Sequence, residues 1–179
     1  MDQQEQSKWI TTHIPHRVRA AIARLPLEGS LLRVTASIDP ELRTEVDKIY
    51  WRCATDSIWE GRLTATRWLI EFVGVKQDRR GNPAVCEKNK FGNDVRIDDF
   101  DGGKLLAHST HEGQLLASVW KGCSQASSHA TNAYRHPSVD DRTVLPEVLR
   151  IVLDHLQKTI YDKASKNVRD SVLTLSQTH

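Results

Sequence analysis

Residues 144–164 read VLPEVLRIVLDHLQKTIYDKA, and within them Leu145, Val148, Leu149, Val152, Leu156 and Ile160 recur three or four positions apart. That recurrence lays six apolar side chains along one stripe of a helix, the pattern of a helix packed on others. Ile151 and Leu153 flank the stripe on either side and widen its apolar surface. Upstream, residues 59–75 read WEGRLTATRWLIEFVGV, which is apolar around most of a helical circumference, as in a helix central to its bundle. Both indoles in it, Trp59 and Trp68, are expected to be largely buried. Asp39-Pro40-Glu41 is a helix start, with an N-cap side chain, a proline where a missing N–H costs nothing, and an early acid. One helix from Pro40 to Val73 would run about 51 Å, too long for a compact domain of this size. The Ser57/Glu60 capping box therefore predicts a break near 55–57, and Gly74 sits where a C-terminal cap belongs. Pro15 predicts a further helix start, and Ser109 with Glu112 another that reaches about His129. The fold class is mainly α: a single domain over 1–179, built as a bundle of about five helices, with a polar tail over 167–179 that frays.

Residues 76–107 break this pattern. Gly81-Asn82-Pro83, Gly92-Asn93-Asp94 and Gly102-Gly103 punctuate them, with β-leaning pieces at 84–86 and 95–97. The expectation is a long loop or weak β-hairpin insertion, acting as a mobile lid or a partner-binding arm.

Composition excludes several classes. At 179 residues, 39% hydrophobic and 27% charged, the chain is neither disordered nor rich enough in apolar runs for a membrane span. The polar stretch 1–8 carries no secretory h-region. Three separated cysteines, Cys53, Cys86 and Cys123, predict a reducing, cytoplasmic setting rather than disulfides or a zinc ribbon. A net charge of +2 gives no electrostatic reason to expect DNA or an anionic membrane as partner. His13/His16 and His108/His111 lack the further ligands zinc needs, and no P-loop, GxGxxG or GxSxG occurs, so neither metal nor cofactor is expected.

Asp56, Glu60, Arg67 and Glu71 fall within about 60° of one another on a helical wheel. They predict either a pocket floor, with Arg67 holding an anion and Glu60 or Asp56 acting as base, or a solvated face with an ordinary Arg67/Glu71 pair. Arg62 projects on the apolar side, so it either snorkels or pairs with a carboxylate of another helix. In WKGCSQASSHATN (residues 120–132) small side chains allow close helix approach, while His129 is a candidate general acid/base.

Arg150 and His155 have the Arg-x4-His spacing of the HEPN family and resemble that motif. The resemblance implies a small, often dimeric helical bundle and, in one branch, metal-independent ribonuclease activity with both residues at the scissile phosphate. RNA is a partner only on that implication. Here Ile151 follows the arginine, where the family commonly has a polar residue. The chain also looks like uncharacterised small helical proteins carried on bacterial mobile elements and gene cassettes, which implies a bacterial cytoplasm and no particular activity. Three functions follow as expectations: a non-enzymatic dimeric helical binding protein, a ribonuclease of HEPN type, or a small-molecule-binding bundle with its pocket at Asp56, Glu60 and Arg67. The apolar flank of 144–164 favours a homodimer.

Overall fold

The computed structural model describes residues 1–22, 57–88, 94–101, 103–128 and 143–164. About two-thirds of these are helical, in four runs, so the protein is mainly α. The helix expected from Pro40 and the tail over 167–179 lie outside the described residues.

The N-terminal run begins earlier than Pro15 predicts. Helix α1 (Gln3–Lys8) is capped by Asp2, whose carboxylate accepts from the Glu5 amide at 2.8 Å. It continues through a π-helical turn (Trp9–His13) into α2 (Ile14–Ile22). Proline has no N–H to donate back along a helix, and the wide turn immediately before Pro15 accommodates that loss without ending the helix. Helix α3 occupies residues 57–72. It stops at Gly74, whose φ of 91° places it in the left-handed region while its amide bonds the Glu71 carbonyl at 2.9 Å. Helix α4 (His111–Ser128) is capped by Thr110 rather than Ser109: the Gly113 amide donates to the Thr110 hydroxyl at 3.1 Å. Helix α5 (Val144–Leu156) ends in a second π-helical turn (Gln157–Tyr161), and all six residues of its stripe are buried.

The hairpin forms with one expected strand, close to 84–86, and an unexpected partner. Strand β1 (Val75–Gln77) follows α3 directly and runs antiparallel to β2 (Pro83–Val85), with Val75 opposite Val85. Asp78 builds the turn between them, its carboxylate accepting from the Arg80 and Asn82 amides, both at 2.8 Å. Those bonds hold the Asp78 carboxyl below the usual carboxylate range. Residues 95–97 form no strand; they lead into a 3-10 turn (Ile97–Asp99).

Nor are the described residues of the excursion a free lid. Ile97, Phe100 and Leu106 are buried in the core, and the Leu106 amide bonds the Val73 carbonyl at 2.9 Å. Polar pins hold it as well. Arg96 donates to the Cys86 carbonyl and pairs with Asp98, and Lys88 pairs with Asp99. Its apolar residues are few, but they are spaced to reach the core at 97, 100 and 106, and this outweighs the loop-like composition.

Trp59 and Trp68 are half-buried, not engulfed. Trp59 stands in the first described turn of α3. Trp68 is on its flank, with Trp9 stacked on it at 6.1 Å, Phe72 at 5.0 Å and Arg17 over the ring at 5.5 Å. Among the described residues, no helix is long and apolar enough to cross a membrane.

Candidate functional site

The charged stripe of α3 lies along a rim. Glu60 is exposed, while Arg67 and Glu71 have side chains 38% and 30% accessible. Arg67 Nε donates to Glu71 Oε1 at 2.9 Å, and the same oxygen accepts from the Trp120 indole N–H at 2.7 Å. The Arg67 guanidinium lies 5.4 Å above the Trp120 ring. This cluster locks α3 to α4, and Trp120 is the member that the sequence gives no sign of. As a half-exposed pair it contributes about 0–1 kcal/mol. Asp56, the remaining acid of the stripe, lies outside the described residues, as does His129.

Arg62 reaches another helix, but the bond it makes there is to a backbone carbonyl and not to a carboxylate. Its guanidinium lies over the Trp59 ring, 5.6 Å from the centroid, and Nε donates to the Ala21 carbonyl at 3.2 Å. That bond ties the last turn of α2 to α3 across 41 positions of sequence.

Arg150 and His155 are not brought together. Arg150 is splayed on the exposed face of α5 between two carboxylates. Its Nε and Nη2 donate to Glu147 at 3.1 and 2.8 Å, and Nη1 donates to Asp154 at 3.1 Å. The bond from Arg150 holds the Glu147 carboxyl below the usual range, and the Glu147 bond raises Arg150 further. Five residues along an ideal helix amount to about 140° of rotation, so His155 faces elsewhere. It donates Nε2–H to the Lys104 carbonyl at 2.6 Å. The end of the excursion therefore lies against the His155 flank of α5, the side on which Ile151 is buried. On the opposite flank Leu153 is exposed.

On that flank is a groove of about 390 Å³. Ile22 and Arg62 form one wall; Pro146, Leu149, Arg150, Leu153 and Asp154 form the other. Ile22 is 50% and Leu153 37% exposed, two of only four large apolar side chains left open among the described residues.

Among the described residues no group of three or more His, Cys, Asp or Glu is arranged to hold a metal ion. Burial pushes the Cys123 thiol up to about 12, and the half-buried Cys86 thiol is also raised, first by burial and then by Glu71. Alkylation of the native protein at pH 8, mapped by mass spectrometry, is expected to leave Cys123 unmodified until denaturant is added. Rapid labelling of Cys123 in the folded protein would contradict this packing of α4.

No protein-family model, curated protein or solved structure matches the chain.

Proposed function

We propose that the protein is a non-enzymatic helical binding protein that acts as a homodimer. One observation carries this reading: Ile22 and Leu153, far apart in sequence, converge with exposed side chains on one groove. Exposed apolar side chains are unremarkable singly, but their convergence at a concave surface is typical of a contact site. Identical chains are the commonest partners, through a two-fold interface. A cytoplasmic setting accords with the free thiols of Cys86 and Cys123.

Sedimentation equilibrium at micromolar concentration tests the reading. The expected mass is twice 20.3 kDa. A single species at 20.3 kDa, unchanged across a hundredfold range of concentration, would overturn it.

A further inference from the structure

We propose that the dimer forms by antiparallel pairing of α5 with α5 of a second copy, in a register set by Arg150 of each chain on Asp154 of the other. This rests on the homodimer reading and goes further, assigning the surface, the orientation and the residues that fix the alignment.

Spacing along α5 comes first. Pro146, Leu149, Arg150, Leu153 and Asp154 share one face of the helix and line the groove. On that face a cation and an anion stand four residues apart. Turned end for end, the face offers a carboxylate wherever it previously offered a guanidinium. Matching Arg150 to Asp154 in an antiparallel pair sets the two-fold axis midway between them, at Val152. Each Leu153 is then one residue from the axis, about 1.5 Å along the helix, and the two exposed leucines meet at the centre. The groove beside α5, walled by Ile22 and Leu149, has room for an aliphatic side chain of the facing copy.

The charge pattern selects a second copy over other partners. Arg62, Arg150 and Asp154 line the groove and Glu147 adjoins it through its bond to Arg150, so charges of both signs are interspersed there and a strongly acidic or basic ligand meets no single-sign field. A copy of the same surface meets opposite charges at both ends of the pair. Arg150 already holds Asp154 within its own chain through one nitrogen and one oxygen, which leaves donors and an acceptor to share across the interface. In such a contact the apolar centre supplies affinity and the charges set register and exclude misaligned pairing.

A charge-swap series on the full chain tests the assignment. Arg150→Asp places Asp against Asp154, and Asp154→Arg places Arg against Arg150, so each variant alone is expected to dimerise at least about tenfold more weakly than wild type. An equimolar mixture restores both opposite-charge contacts and is expected to recover near-wild-type dimerisation as a heterodimer, observed by sedimentation with one chain fluorescently labelled. Circular dichroism of each variant confirms that helix content is kept, since Arg150 and Asp154 are both exposed. If wild type dimerises and the variants do so equally well, or if the mixture does no better than its components, this interface is wrong while the homodimer stands. If wild type is monomeric at every concentration, both fall.

Discussion

Gly103→Ala is expected to destabilise the protein by at least about 3 kcal/mol, the upper end of the usual cost of overpacking. A methyl group at residue 103 would lie 1.7 Å from the Ile97 carbonyl oxygen and 2.8 Å from its carbon. Both are backbone atoms, so no rotamer change relieves the clash. The 3-10 turn at Ile97–Asp99 has to move, along with the bond from the Gly103 amide to the Phe100 carbonyl at 2.8 Å. Moving the turn disturbs Ile97 and Phe100, both buried, and burial of each is worth about 1.5–3 kcal/mol. Gly61→Ala is the matched control. Nothing lies within 4 Å of the added methyl, and the site is an exposed helical one, where alanine is favoured over glycine by about 0.5–1 kcal/mol. Urea denaturation followed by circular dichroism should move the two midpoints in opposite directions. An unchanged midpoint for Gly103→Ala would mean that the turn does not pack on residue 103 as described.

How far the sequence reveals this molecule depends on the distance over which each feature is encoded. The stripe from Leu145 to Ile160 is a local periodicity, and every one of its members is buried. Gly74 ends α3 because only a residue tolerant of positive φ fits there, a requirement visible in one position. Thr110 displaces Ser109 as the cap by a single residue, since either hydroxyl could serve and packing decides. Strand β1 is three residues long and adjoins a helical pattern, too short for alternation to show. The contacts that shape the candidate sites span far more chain. Trp120 reaches Glu71 across 49 positions, His155 reaches Lys104 across 51, and Tyr161 reaches the Ile10 carbonyl across 151. Such pairings are set by how helices dock, and no spacing rule within one helix reports them. The groove is a case in point: Ile22 and Leu153 are each unexceptional in sequence, and only the fold sets the end of α2 across the groove from α5.

Phe72→Ala is expected to carry the largest cost, about 3–5 kcal/mol, as full truncation of a core aromatic does. Phe72 is 1% exposed and lies in the core between two other aromatic rings. Its ring stacks on Trp68 at 5.0 Å and meets Phe100 edge-on at 5.7 Å, with planes 68° apart. Through Trp68 the stack reaches Trp9 near the N-terminus; through Phe100 it reaches the excursion. Truncation thus opens a cavity and removes two ring contacts, each worth about 0.5–1.5 kcal/mol beyond its buried area. For a domain whose whole stability is about 5–15 kcal/mol, the variant should unfold at markedly lower urea, or be unfolded at 37 °C. Trp59→Ala is expected to cost less, because that indole is only half-buried. Two further measurements separate the aromatic contribution from the cavity. Phe72→Leu keeps most of the volume and should cost about 1.5 kcal/mol or less. A double-mutant cycle with Phe100→Leu should return a coupling of about 0.5–1.5 kcal/mol. A Phe72→Ala cost below about 1 kcal/mol, with no coupling to residue 100, would mean that the excursion does not share the core with α3 and that its apolar residues pack elsewhere.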